Sequence, residues 1–457
     1  MLHNEARHIE YAGLLSFWAV LRRLWQYRTD ILPLILCAGV TETFRLTASR
    51  RRRCGATMAD AVQGQSRRLR LAVKRLNSCR SQYNVQPQAP VLRPARSALR
   101  GHTIRVWCGS SGWAINEKSQ FMKTVRFHAP GIPDQVLQVA ETQKPKPAFG
   151  EVLVRMLAAP VNPSDLMFVR GQYTVAAQCP ATPGFEGVGI VEESGGGLRG
   201  RLFRGKRVVV LNRRGGNWAE YAVVPADQVI PVSRSLSLEQ AATFFVNPAT
   251  AWVMTREVLQ VPRGAWLLQT AAGSSLGRMI IRLGQHFGYK TFNVVRREAQ
   301  ANELRELGAD HVEVFDGSES DTERFQRHVA DVVGPFGLAY AVDAVGGSTG
   351  SAVIQSLGAR GRMLAFGTLS GKPLQFSSRT LMTVGSQVEG FWLGNFMLRK
   401  SLLFKLLLVR RLTKLIQSGV LSSEIAASYG LDEIREAVRS AEDSRRPGKT
   451  LLRLADK

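Results

Sequence analysis

At 457 residues the chain is too long for one ordinary domain, and its 45% apolar content excludes a mainly disordered polymer. Its formal charge of +25 suggests a nucleic-acid partner at first sight. Roughly half of that excess falls in about the first 120 residues, which excludes one coherent binding surface along the chain.

Residues 1–121 carry the cluster Arg50, Arg51, Arg52 and Arg53, further scattered Arg, and no sustained helical or strand period. Such composition admits an Arg-rich targeting or nucleic-acid arm, but basic runs of this kind are ordinarily solvated. The expectation is a poorly structured basic extension outside the fold. The apolar runs "YAGLLSFWAVL" and "ILPLILCAGV" are interrupted by Arg22, Arg23, Arg28 and Asp30. Each falls short of the roughly 20 residues that a spanning helix needs, so no membrane segment is expected. Cys37, Cys54, Cys79, Cys108 and Cys179 show no zinc-site or redox spacing, which fits a reducing, cytoplasmic setting. At Met122, "MKTVRFHAPGIPDQVLQV" brings alternation and turn residues together, as at the start of a compact domain. A chain shortened to begin there is expected to fold and act.

Short β-type runs follow: "EVLVRMLAAPV", "GVGIVEE", "RVVVLN" and "WAEYAVVPADQVI", each bounded by Gly, Pro, Asn or Asp. They predict a small β-rich unit over residues 122–246. From Asn247 strand-like and helical runs alternate: "AWLLQT", a helix over 276–287, "KTFNVV", a helix over 298–307, "HVEVF", a polar helix, "LAYAVDAV", a helix and "GRMLAFG". That rhythm predicts an α/β domain with a doubly wound parallel sheet over 247–385. Residues 386–457 are expected to complete the β-rich domain.

The first strand of the series runs into "AAGSSLG" and then a helix. Small residues there let backbone N–H groups and the helix N-terminus approach a pyrophosphate without bulky side chains. The fingerprint is partial, with Ala272, Ser274 and Gly277 where three glycines would stand, and a tight structural turn also accounts for it. The end of the second strand discriminates better. NAD-binding chains place an Asp or Glu there for the ribose hydroxyls, whereas "FNVVRRE" ends in Arg296 and Arg297, whose guanidiniums suit a 2′-phosphate and hence NADPH.

Together these parts resemble the medium-chain dehydrogenase/reductase superfamily, a GroES-like β-rich catalytic domain joined to a Rossmann domain. The resemblance covers residues 122–457. Within the superfamily the chain is similar to the zinc-independent 2-enoyl thioester reductases, through "APVNPSDLMFVRGQY", "FFVNPATAW", "FNVVRR", "DAVGG" and "EGFWL". Zinc-dependent members carry a His before the Glu of "GFEG", an upstream ligating Cys and a four-Cys lobe. Here Phe185 takes the His position and Cys179 is the sole cysteine after Met122. A catalytic zinc needs three protein ligands and an open position, so no metal is expected, and the segment reads as a structural turn left from a metal-site phrase.

The resemblance then implies a role for each matching residue. Tyr173 matches the tyrosine taken as proton donor; a phenol with a pKa near 10 stays protonated at neutral pH and can hydrogen-bond a developing enolate. Asn247 and Thr250 are implied beside the nicotinamide, and Gly273, Ser274, Ser275, Leu276 and Gly277 around the pyrophosphate, with Arg296 and Arg297 on the 2′-phosphate. Phe366, Gly367, Thr368 and Leu369 are implied on the nicotinamide side, as are Phe391, Trp392, Leu393 and Gly394. Lys449 matches a cofactor contact, and Trp392 also borders the acyl pocket and the catalytic centre. Aromatic residues at such positions serve as core as well. Glu298 stands where some relatives carry a basic residue.

The implied reaction is NADPH-dependent reduction of the C=C bond of a 2-enoyl thioester, carried by coenzyme A or an acyl carrier protein, in a homodimer. The basic helix candidate over 398–416 can attract an acidic carrier or simply present a solvated face. Three alternatives stay open: a quinone or 2-alkenal reductase on the same scaffold, a scaffold that binds NADPH without turnover, and a basic nucleic-acid binder centred on residues 1–121.

Overall fold

The computed structural model describes residues 120–443, 445 and 447–455; the expectations for residues 1–119 lie outside this range. Strand β1 (Phe121–Arg126) starts one residue before the expected boundary and pairs antiparallel with β2 (Gln138–Gln143) across the short helix α1 (Pro133–Val136). The long strand β3 (Glu151–Pro160) follows, and "EVLVRMLAAP" is buried along nearly its whole length because neighbours cover both its faces. Helix α2 (Pro163–Val169) begins at a Pro, whose fixed φ suits a first helical turn, inside a capping box made by Asn162 and Asp165.

Strands β4 (Glu186–Ser194), β5 (Arg207–Leu211), β6 (Tyr221–Pro225) and β7 (Val229–Pro231) build the β-rich sheet, with helix α3 (Leu198–Phe203) between β4 and β5. The single run expected over "WAEYAVVPADQVI" is two strands, separated by a turn at Ala226–Asp227. Helix α4 (Leu238–Ala242) leads to α5 (Val246–Trp252), which continues as a π-helical turn over Val253–Val258.

The nucleotide-side sheet then alternates with helices in the expected order. Its members are β8 (Trp266–Gln269), α6 (Ser275–Phe287), β9 (Lys290–Val295), α7 (Glu298–Glu306), β10 (His311–Val314), α8 (Thr322–Val333), β11 (Leu338–Asp343), α9 (Gly347–Gln355), β12 (Leu357–Ala365), α10 (Ser378–Val384) and β13 (Gln387–Gly390). All the pairings are parallel, in the order β10-β9-β8-β11-β12-β13. Order reverses between β8 and β11, and a crevice at the carboxyl ends of such strands is where dinucleotides bind. β13 extends this sheet although it lies past the expected boundary at 385. The edge position is filled by a sixth parallel strand before the chain turns back.

The basic helix expected over 398–416 is found from residue 402 on, as α12 (Leu402–Gln417), while Leu398 ends a separate helix α11 (Leu393–Leu398); the Ser401 side chain caps α12 by accepting Phe404 N–H at 3.3 Å. Strand β14 (Ile425–Gly430), helix α13 (Ile434–Glu442) and strand β15 (Lys449–Arg453) return to the β-rich sheet, where β15 pairs antiparallel with β3. One hydrophobic core joins the two halves. It contains Ala158 and Val188 from the β-rich sheet, Phe244 and Trp252 around α5, Leu267 and Ile280 from the nucleotide side, and Leu408 and Leu412 from α12.

Candidate active site

Because the six nucleotide-side strands are parallel, their carboxyl ends share one edge. The expected cofactor residues fall there: 273–277 after β8, Arg296 and Arg297 after β9, 366–369 after β12, and 391–394 after β13. Ser274 caps α6 by accepting Gly277 N–H at 3.1 Å. The first-turn N–H groups of Ser275 and Leu276 remain for an anion. A Cβ on Gly277 would stand 2.3 Å from Ala272 O, so only glycine lets α6 lie this close to the strand end. Gly367 is equally confined: a Cβ there would meet Ala344 O at 2.6 Å. Arg296 is exposed, Arg297 is partly buried at the start of α7, and Leu369 is 56% exposed.

Thr270 and Asp343, which sequence reasoning did not single out, tie the reversal point together. Thr270 Oγ1 donates to Asp343 Oδ1 at 2.6 Å and accepts Ala344 N–H at 2.9 Å. The same carboxylate takes Val345 N–H at 3.0 Å and Gly346 N–H at 2.9 Å. Both side chains are buried, so the crevice between β8 and β11 keeps a fixed floor.

Across the cleft, Tyr173 sits half-buried in the turn after α2. Its ring lies 5.2 Å from Phe185 and 6.4 Å, edge-on, from Trp392. Phe185 in turn contacts Phe168 at 5.2 Å, and Phe168 contacts Phe127 at 5.6 Å. Where a metal-binding relative would present an imidazole, this chain therefore has one ring of an aromatic wall. Burial pushes the Tyr173 phenol above its ordinary pKa; the Trp392 indole opposes this and the Asp165 charge adds to it. The hydroxyl stays protonated at neutral pH. Trp392 is 42% exposed, so it borders both the tyrosine and solvent.

Behind this wall lies a charged cluster that no local spacing announced. Asp165 Oδ1 accepts Phe185 N–H at 3.0 Å and Oδ2 accepts Asn162 N–H at 2.8 Å. Glu186 Oε1 accepts the N–H groups of Phe245 at 2.7 Å and Val246 at 2.8 Å, which holds the start of α5 and hence Asn247. Its other oxygen receives Asn162 Nδ2 at 3.4 Å, and Lys449 Nζ donates to Asn162 Oδ1. All four side chains are buried.

Burial raises the Asp165 pKa to about 7 against the pull of its two backbone donors and Lys449. Burial likewise raises Glu186 and lowers Lys449 from their ordinary values. The turn expected at "GFEG" needs correction: β4 already begins at Glu186, one residue before the β-type run expected there, and both oxygens of this carboxylate have donors, which anchors α5. Lys449, implied as a cofactor contact, is 7% exposed and engaged with Asn162. Thr250 is also buried, one turn along α5 from Asn247.

Among the described residues no group of three or more His, Cys, Asp or Glu is placed to hold a metal ion. Cys179 is exposed, Phe185 has no donor atom, and the Glu186 oxygens are occupied. None of these three positions assembles a metal ligand set.

Comparison with known proteins bears on the family and the fold. A family model described as the alcohol dehydrogenase GroES-like domain matches residues 148–234, and one described as zinc-binding dehydrogenase matches residues 275–407. A mitochondrial enoyl-[acyl-carrier-protein] reductase of Caenorhabditis elegans is 32% identical over 282 residues, covering 60% of this chain and 80% of that protein. Among solved structures, a Bacillus thuringiensis protein assigned as an NADPH:quinone reductase matches with a TM-score of 0.67 and 31% identity, over 73% of this chain and 99% of its own. A mycobacterial protein complexed with NADPH matches with a TM-score of 0.66 and 26% identity, again over 73% and 99%.

Proposed function

The chain belongs to the medium-chain dehydrogenase/reductase superfamily, in its enoyl-reductase-like group, and from that premise we propose that it reduces the C=C bond of a 2-enoyl thioester with NADPH. The observation that carries the reading is the placement of Tyr173 against Phe185 and Trp392, facing the carboxyl ends of the nucleotide-side strands. A carbonyl entering there meets a protonated phenol on an apolar wall.

The residues fit the cofactor. The α6 N-terminus with Gly273 and Gly277 admits a pyrophosphate, Arg296 and Arg297 supply cations for a 2′-phosphate, and Asn247, Thr250, residues 366–369 and residues 391–394 flank the nicotinamide end. Lys449 acts on that end through Asn162. Bound NADPH supplies a hydride for the β carbon of the substrate. Tyr173 Oη hydrogen-bonds the thioester oxygen as charge develops on it, and its proton goes to the α carbon. The aromatic rings of Phe185 and Trp392 exclude water, which strengthens that hydrogen bond. Zinc takes no part in this reading, since the phenol does the work a metal ion would do on the carbonyl.

The substrate is an acyl thioester, the partner an acyl carrier protein, and the assembly a homodimer. Cytoplasmic residence, expected from the cysteines, competes with the mitochondrial address of the nematode relative. Imaging the chain with and without residues 1–121 separates the two. The catalytic test is NADPH oxidation with trans-2-enoyl-CoA and a quinone offered in parallel. Loss of one such donor typically costs about 2.7–4 kcal/mol, so Tyr173→Phe should lower thioester turnover about 10²- to 10³-fold. Turnover of quinone alone, indifferent to Tyr173, would instead place the protein with the quinone reductases.

A further inference from the structure

Helix α12 is buried through Leu408, Leu412, Leu415 and Ile416. A surface helix normally turns a polar face outward opposite such a stripe. Here the outward face opens with Leu402, Leu403, Leu406 and Leu407, which are 58%, 66%, 59% and 55% exposed, and continues into Arg410, Arg411 and Lys414. Helical spacing puts these seven residues on one continuous face. Leu398, 62% exposed at the end of α11, and Arg399 extend it. Contiguous exposed apolar surface with a polar rim marks an interaction site rather than ordinary surface.

The charge says what kind of partner fits. From Phe391 to Val420 the chain has six Arg or Lys and no Asp or Glu. A second copy docked on the same face would set like charges against each other, whereas an acidic surface would pair with them. The patch is also continuous with the site: Trp392, 6.4 Å from Tyr173, is the N-cap of α11, and the six residues of that helix span about 9 Å before Leu398.

We propose that the outer face of α11 and α12 docks an acidic acyl carrier protein, which presents its thioester arm past Trp392 to Tyr173. The proposal rests on the thioester-reductase reading above and adds the surface that recognises the carrier. The leucines form the apolar centre of the contact, and Arg399, Arg410 and Lys414 form the charged rim.

The test uses the full chain and the triple variant Arg399→Glu/Arg410→Glu/Lys414→Glu, whose positions are outside the catalytic cluster, with Leu403→Ser/Leu407→Ser as a second variant. Binding of a fluorescent acidic acyl carrier protein is read by anisotropy across a salt series. Turnover is read with the same enoyl group on that carrier and on neutral pantetheine. The charge variant should bind the carrier about tenfold or more weakly and lose most of the salt dependence, since rim charges act through screened attraction. Its kcat/KM should fall in step for carrier-bound substrate and stay at the wild-type level for enoyl-pantetheine. The leucine variant should weaken binding with the salt dependence retained.

Equal carrier binding by wild type and both variants overturns the proposal, as does a parallel fall with enoyl-pantetheine. So does wild-type protein that sediments with phosphatidylcholine–phosphatidylglycerol vesicles through this face and ignores the carrier. Wild-type protein that binds the carrier here yet reduces neither thioester sustains the docking surface and overturns the reductase reading.

Discussion

Replacing Lys449 with Met tests the charged cluster most directly. The substitution keeps an unbranched apolar stem in a side chain that is 7% exposed, and removes only the ammonium. What remains is Glu186 at 2% exposure and Asp165 at 0%, two buried carboxylates without their cation, and an Asn162 carbonyl without its donor. Breaking a buried pair by deleting one partner costs about 3–5 kcal/mol. At roughly 2–4 °C per kcal/mol for a body of this size, the apparent Tm at pH 8 should drop by about 10 °C.

The loss depends on pH with a definite sign. Without the ammonium both carboxylates titrate higher still, and an acid whose folded pKa is raised contributes stability that is present at low pH and lost as pH rises through that pKa. The deficit of the variant should therefore be small near pH 5 and grow toward pH 8. Adding Glu186→Gln should recover more than half of it. The glutamine oxygen still accepts the Phe245 and Val246 N–H groups, and Asn162, no longer fixed by Lys449, can turn its amide to match.

Thermal melts across pH 5–8, paired with NADPH titration by fluorescence, give the readout. A variant within about 1 kcal/mol of wild type at every pH would refute the buried ionic cluster. Unchanged melts with weakened NADPH binding would show that Lys449 serves the cofactor directly.

Three further outcomes follow from the geometry. Gly277→Ala should weaken NADPH binding and lower stability by about 1–3 kcal/mol, because its methyl would stand 2.3 Å from Ala272 O; calorimetry and melts check both. Arg296→Ser/Arg297→Ser should raise KM for NADPH at least tenfold and leave KM for NADH little changed, which steady-state kinetics with the two cofactors measure directly. Asp165, held at about 7 when folded against about 3.9 unfolded, binds more protons in the folded chain, so it sheds roughly 4 kcal/mol of stability as pH rises from about 4 to 7. Asp165→Asn should flatten that part of the pH–stability curve, and an unchanged slope would assign it to other groups.

What could be read from sequence follows from what local chemistry determines. Buried parallel strands are continuous apolar runs, so "KTFNVV" and "HVEVF" announce β9 and β10 with nearly the observed limits. The break between α11 and α12 was also available, since Ser401 three residues before Phe404 is an N-cap signal, but the apolar run on either side of it masked the stop. β13 was placed on the wrong side of a boundary because membership of a sheet is settled by its neighbour, β12, rather than by its own four residues.

The site divides in the same way. Tyr173, Trp392, the turn after β8 and the paired arginines carry their chemistry in short phrases, and the shared edge of a parallel sheet gathers the nucleotide-side phrases without further information. Asn162, Asp165 and Glu186 stand inside recognisable phrases and Lys449 matches a cofactor contact, yet no phrase announces that the four meet. They come from the α2 cap, the start of β4 and the start of β15, and only the antiparallel register of β3 with β4 and β15 makes them neighbours. In sequence none of them shows its partners. Burial gives them their role: once water is excluded, one ammonium and two carboxylates must answer each other. The backbone N–H groups of α5 complete that set, which links the catalytic sheet to the helix carrying Asn247 and Thr250.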